Sequence, residues 1–105
     1  MPTFTVRLDR KTEITFNGTV LVDVCALNHD DAVRRRFRVY STGSEFIAER
    51  IDDPDTIDVR FWGAQCADSL DLYQFFGTEP LANYLYGRLE LSVPGLRSVD
   101  VKEST

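Results

Sequence analysis

Leu81, Leu85 and Leu89 stand four residues apart, with Ala82 beside the first of them. Residues at that spacing share one face of a helix, so they form an apolar stripe that must be buried against another element. Thr78 is placed to N-cap this helix. Glu79 and Pro80 then fall in its first turn, where a carboxylate meets the positive end of the dipole and a missing N–H costs nothing. Pro94-Gly95 is a turn signal. Beyond it Leu96, Val99 and Val101 outline a short strand, with Val99 and Val101 on one face, and the strand leads to Glu103.

The other end of the chain reads as strands. Phe4, Val6 and Leu8 alternate with Thr3, Thr5 and Arg7, the period of a half-buried strand. Asp9-Arg10-Lys11 reads as a turn or a loose edge, and Ile14 and Phe16 continue the alternation. Asn17-Gly18 is a strong hairpin signal. The strand expected after it, Thr19 to Ala26, puts Val20, Val22, Val24 and Ala26 on one face and Leu21, Asp23 and Cys25 on the other. The opening is therefore expected to be a β-meander or a long, bulged hairpin.

Between these ends the pattern is less regular. Asn28 suits an N-cap, and His29, Asp30 and Asp31 would fill a first helical turn. Arg34, Arg35, Arg36 and Arg38 would crowd the last, with Val33 and Phe37 as the buried side. Arg36 to Tyr40 also alternates like a strand. The arginine cluster reads as a solvated helix end or as a patch for phosphate or nucleic acid. Ser41-Thr42-Gly43-Ser44 is a break. Phe46, Ile47 and Ile51 suggest a short helix, and Asp52-Asp53-Pro54-Asp55 a polar turn whose acids could instead hold a cation. Thr56 to Trp62 alternates again, with Ile57, Val59 and Phe61 on one face, and Gly63 ends that strand. Asp68 to Phe76 reads as a short helix or a tucked loop.

Composition bounds the class. At 105 residues, with 43% apolar and 28% charged side chains, the chain suits one domain with a core of useful size. Seventeen acids against twelve bases give a net charge of −5, which argues against a general nucleic-acid binder and an anionic membrane surface. No run of eighteen apolar residues is present, and the first residues lack the layout of a signal peptide, so a cytoplasmic location is expected. Cys25 and Cys66 sit in unrelated contexts without C-x-x-C. Buried free thiols are the plain reading, a disulfide or a nucleophile the alternatives. His29, the one histidine, reads as a surface or capping residue, with a general base as the sharper alternative. No zinc or other metal site and no cofactor is expected from one histidine and two separated cysteines.

Thr78, Glu79, Leu81, Ala82, Tyr84, Leu85, Pro94, Gly95, Val99, Val101, Glu103 and Ser104 together resemble the C-terminal half of the 6-pyruvoyl- and 6-carboxytetrahydropterin synthases, members of the tunnelling-fold group. The resemblance implies a ββααββ order and a barrel closed by several copies. It also implies a pterin- or purine-type ligand, with Thr78 at the pocket helix and Glu103 gripping the ring. A carboxylate suits that task because it accepts two parallel N–H bonds from an aminopyrimidinone edge; the plain reading of Glu103 is a charged residue near the C-terminus. The family's three zinc histidines have no counterpart here. Ser69-Leu70-Asp71 resembles its Tyr-Leu-Asn, which sets Ala67 where its further histidine stands, so zinc-dependent synthase chemistry is not expected to carry over.

The expectation is thus an α+β single domain, an antiparallel sheet backed by two or three helices in a tunnelling-fold-like arrangement. It would be a homo-oligomer with apolar second faces at Leu21, Trp62, Tyr84 and Tyr86, and a heterocycle pocket without the zinc apparatus. Catalysis, if any, would fall to Cys66 or His29. The rival is a small non-enzymatic interaction or regulatory protein with a ββα core, of phage or accessory type.

Overall fold

The computed structural model describes residues 2–8 and 12–92. Six strands precede two helices: β1 (Thr3–Leu8), β2 (Thr12–Asn17), β3 (Thr19–Leu27), β4 (Val33–Ser41), β5 (Phe46–Asp52), β6 (Arg60–Cys66), α1 (Ser69–Phe76) and α2 (Pro80–Ser92). β1 and β2 form a two-stranded antiparallel sheet, and β3-β4-β5-β6 form a four-stranded antiparallel sheet in sequence order. The α+β class and the antiparallel sheet stand. Among the described residues no helix is long and apolar enough to cross a membrane.

The larger sheet is covered on both faces, which gives three layers. Val22, Val24, Phe37, Val39, Ala48 and Cys66 point to one side and pack with Leu72, Phe76, Ala82, Leu85, Tyr86 and Leu89 of the helices. Tyr40 and Ile47 point to the other and pack with Val6, Phe4, Ile14 and Phe16 of the β1–β2 hairpin. The leucine stripe holds: Leu85 and Leu89 are buried and Leu81 is packed against the same core. Two-sided cover explains why β5 shows no clean alternation. Ile47 serves the hairpin side and Ala48 the helix side, so its apolar residues run consecutively.

Several expectations are corrected. The helix expected from Asn28 is a tight loop followed by β4. Asn28 does accept backbone N–H groups, from Asp30 at 2.8 Å and Ala32 at 3.2 Å, but its Oδ1 closes a local turn rather than a helix. The helix expected at Phe46 to Ile51 is β5. In both places the apolar residues taken as i and i+4, Val33/Phe37 and Ile47/Ile51, also share strand parity. Long-range pairing with neighbouring strands decided between the two. The strand placed at Thr56 to Trp62 starts at Arg60, and Gly63, expected to end it, lies in its middle. Tyr86, expected on a free second face, is buried, and its hydroxyl donates to the Gly77 carbonyl.

Asn17-Gly18 makes no hairpin turn either. β1 and β2 pair from Thr3↔Asn17 to Leu8↔Thr12, so the reversal falls earlier. Gly18 is instead a corner where the chain leaves one sheet for the other. Its N–H still extends the hairpin ladder to the Pro2 carbonyl at 3.0 Å, and one residue later Thr19 pairs with Ser41 of β4.

The helices have legible ends. Asp68 N-caps α1 by accepting from the Asp71 N–H at 3.0 Å. Gly77, at φ 80°, closes it in a backbone region where glycine carries no penalty, donating its N–H to Tyr73. α2 begins at Pro80, and the Glu79 carbonyl accepts the Asn83 N–H, so Glu79 rather than Thr78 holds the capping position. The Pro94-Gly95 turn, the strand at Leu96 to Val101, and Glu103 and Ser104 lie outside the described residues.

Candidate functional site

Two loops share one end of the four-stranded sheet: residues 28–32 between β3 and β4, and residues 53–59 between β5 and β6. Asp53, the first residue of the second loop, donates its N–H to the carbonyl of Arg34 on β4 at 2.8 Å. Asp31, Asp53 and Asp55 all adopt positive φ, at 63°, 49° and 69°. Aspartate is among the few non-glycine residues that tolerate this region, because its short side chain bonds locally. The second loop is locked by Thr56. Its hydroxyl donates to the Asp53 carbonyl at 2.8 Å and accepts from the Asp58 N–H at 3.2 Å, while its own N–H and C=O bond Asp53 and Val59, both at 3.3 Å.

That loop holds Ile57 out, 98% exposed, between Asp55 and Asp58. The alternation predicts Ile57 on one face of a strand with Val59 and Phe61; the structure puts it in the loop ahead of β6. The same end of the sheet carries exposed Asp30, Asp31, Asp53, Asp55 and Asp58 and exposed Arg34 and Arg60. Leu27 is exposed where β3 runs into the first loop.

Beneath the loops a charged cluster sets their footing. Arg50 donates two hydrogen bonds to Asp52, from Nε and Nη2, each 3.0 Å. Arg35 reaches Asp52 with Nε at 3.2 Å and Glu79 with Nη1 at 2.6 Å, fixing the start of α2 to the sheet end. The Arg50 guanidinium also lies 4.7 Å from the Trp62 ring centroid and 5.9 Å from that of Phe37. Trp62 remains 38% exposed. Burial works to raise the Asp52 pKa, but the hydrogen bonds and charge of Arg50 and Arg35 outweigh it and hold this carboxyl below its ordinary value. Its contribution to stability is therefore present above the ordinary carboxylate range and is lost as the pH falls through the lowered value.

Three of the four clustered arginines have carboxylate partners. On one face of β4, Arg35 bonds Asp52 and Glu79. On the opposite face Arg36 makes a paired contact with Asp23, Nε at 2.9 Å and Nη2 at 2.8 Å, and Arg38 lies against Glu49. The run is a strand and not a helix end, three of its four arginines face carboxylates of the same chain, and Arg34 is exposed. Glu49 is a carboxylate only 4% exposed on the hairpin side of β5. Its Oε1 accepts the Tyr40 hydroxyl at 2.8 Å. Arg38 Nε sits 2.7 Å from the same oxygen as an ion pair, although its N–H is not aligned for a hydrogen bond.

The other sequence candidates are scattered. His29 stands on the first loop with its side chain almost wholly exposed, 3.7 Å from Asp30. Cys66 is buried at the end of β6, remote in sequence from any paired base. Burial, reinforced by Asp71 and Asp68, pushes its thiol up to about 11. A thiol held that high carries far less thiolate at neutral pH than an ordinary one, and the thiolate is the reactive form. Cys25 is exposed. An aromatic disulfide reagent should thus modify one thiol per native chain quickly, Cys25, and Cys66 only as the chain unfolds; two equally fast thiols would contradict this placement. Thr78 is exposed just ahead of α2, and its carbonyl accepts from Asn83 Nδ2 at 3.0 Å. Glu103 lies outside the described residues. Among those residues no group of three or more His, Cys, Asp or Glu side chains is arranged to hold a metal ion.

The sequence signal for this loop is the polar turn expected at Asp52-Asp53-Pro54-Asp55, of which Asp52 is the last residue of β5. What could not be read was that Ile57 belongs to the turn and not to the strand behind it. Compared with known proteins, the chain matches no protein-family model, no curated protein and no solved structure.

Proposed function

We propose that this domain acts by binding and not by catalysis, and that its partner is a basic protein segment carrying an apolar side chain. The observation that carries the reading is Ile57, held fully exposed on a hydrogen-bonded loop among acidic residues. Covering an isoleucine side chain is worth about 1.5–3 kcal/mol. A loop already fixed by Thr56 loses little further freedom when it is covered. The aspartates around it favour a cationic partner and speed its approach, an effect that salt weakens. The chain's net charge of −5 acts in the same direction.

Trp62 is the only tryptophan and lies on β6 just behind the loop, so its emission reports occupancy. Titration with a short peptide of alternating lysine and leucine should shift that emission, and its acidic counterpart should not. Ile57→Ser should weaken the peptide about tenfold or more, the equivalent of about 1.4 kcal/mol. No response to the basic peptide, or an affinity untouched by Ile57→Ser, would end this reading. The rival is the tunnelling-type assembly with a heterocycle pocket at Glu103 and Thr78, and it forms a parallel arm. Calorimetric binding of neopterin or guanine that is lost in Glu103→Gln would favour it.

A further inference from the structure

The β1–β2 hairpin belongs to a different sheet from the rest of the domain, and a single residue, Gly18, joins it to β3. The hydrogen bonds described for it close within it: the β1–β2 ladder, Thr3 to Asn17, Thr5 with Thr15, and Gly18 N–H to Pro2. It attaches to the larger sheet through side chains. Tyr40 of β4 sits between Phe4 and Phe16, with ring centroids 4.9 and 5.1 Å away. Val6 and Ile47 complete a cluster separate from the helix-side core, and Arg7 lies 5.2 Å from the Phe61 ring centroid.

The corner is tight. A methyl group at Gly18 would collide with the Ser41 carbonyl oxygen and crowd the Phe16 ring. Ser41 is fixed because it pairs with Thr19, so the backbone there cannot retreat without opening the first rung of the β3–β4 ladder. A unit held by side chains, connected through a one-residue corner and able to run straight on as one long strand, has the makings of an exchangeable element.

We infer that the hairpin exchanges between two copies of this chain, each hairpin covering the Tyr40–Ile47 face of the other protomer. The occupant is a second copy because every contact the hairpin makes is present on every copy. The swapped pair therefore repeats the same aromatic cluster and differs only at residues 17–19. Straightening that corner moves the Gly18 Cα hydrogens away from Ser41, so a side chain at this position favours the exchanged form. In the wild type the tether holds the hairpin at an effective concentration of about millimolar, so the closed monomer dominates in dilute solution. Undocking exposes Val6, Tyr40 and Ile47, which makes interconversion slow.

The test compares wild type and Gly18→Ala, each unfolded, refolded at about 1 mM and diluted for light scattering. Gly18→Ala should give at least tenfold more dimer than wild type. Light and isotopically heavy dimers should form hybrids only after renewed unfolding. A folded Gly18→Ala that is wholly monomeric, or hybrids that form on mixing, would overturn the exchange. If Gly18→Ala does not fold, a four-residue Gly/Ser insertion after Gly18 serves instead, because a longer hinge lets the hairpin close on its own sheet. The insertion should reduce the wild-type dimer at least tenfold, and an unchanged or absent wild-type dimer in that comparison would overturn the inference equally.

Discussion

Leu85→Ala is expected to lower the melting temperature by roughly 10–30 °C. Leu85 is wholly buried in the middle of α2, in the same cluster as Ala82, Tyr86 and Leu89 of its own helix and Val22 and Val24 of β3. Removing three carbons from such a site costs about 2–5 kcal/mol, partly in lost transfer energy and partly in the cavity left behind. The whole domain has about 5–15 kcal/mol to lose, and in a chain this size each kcal/mol corresponds to about 4–8 °C. The control matters. Arg35 would be a poor one, since it holds both Asp52 and Glu79 and anchors the start of the same helix. Arg34 is exposed, and its replacement by alanine should stay within about 0.5 kcal/mol. Thermal unfolding followed by far-ultraviolet circular dichroism separates the two variants. Equal shifts for Leu85→Ala and Arg34→Ala would mean that the stripe is not the core.

What was legible in the sequence follows from which period the apolar residues obey. α2 was legible because the leucine spacing of four coincides with the helix-start residues Thr78, Glu79 and Pro80, and because Ala82, next to Leu81, fits the apolar face of a helix but not that of a strand. β1 was legible because strict alternation over six residues has none but a strand. The centre of the chain was not. Val33 and Phe37 are four apart, and so are Ile47 and Ile51, and a spacing of four satisfies both a helix face and a strand face. Pairing settled these segments: Phe37 sits between Val24 and Arg50, and Ile47 between Tyr40 and Gln65. No local pattern encodes such partners. The acid-first, base-last order from Asn28 to Arg38 pointed the wrong way for a related reason. Arg35, Arg36 and Arg38 are held by carboxylates on β3, β5 and the approach to α2, all distant in sequence. The Gly18 corner was misread because Asn-Gly signals a sharp reversal in isolation. Here the glycine answers a close approach by β4, visible only once the sheet is assembled. The candidate site was half legible: the acids announced a loop, but the exposure of Ile57 depends on where β6 begins.

Glu49→Ala should be the most damaging single change among the charged residues, lowering stability by about 2–4 kcal/mol. The carboxylate lies between the hairpin and the sheet, and two groups depend on it. Tyr40 donates its hydroxyl to Oε1 from within the aromatic cluster, and burial together with the Glu49 carboxylate holds that phenol well above its ordinary pKa, so it stays a donor. With the acceptor gone, the hydroxyl is left unsatisfied at a cost of about 1–3 kcal/mol. Arg38 loses its counter-charge as well. Its side chain keeps a quarter of its exposure and can turn partly to solvent, so the change falls short of the full cost of stranding a buried ion. Charge and acceptor are separable. Glu49→Gln keeps an acceptor for Tyr40 and removes the charge, and should cost less than Glu49→Ala. Tyr40→Phe combined with Glu49→Ala should cost less than the sum of the two single changes, because the second removes a group the first has already stranded. Urea denaturation of the four proteins with the wild type gives the cycle. Strict additivity, or a Glu49→Ala cost below about 1 kcal/mol, would show that the hairpin is held by its aromatic rings alone and that the buried carboxylate is incidental to its docking.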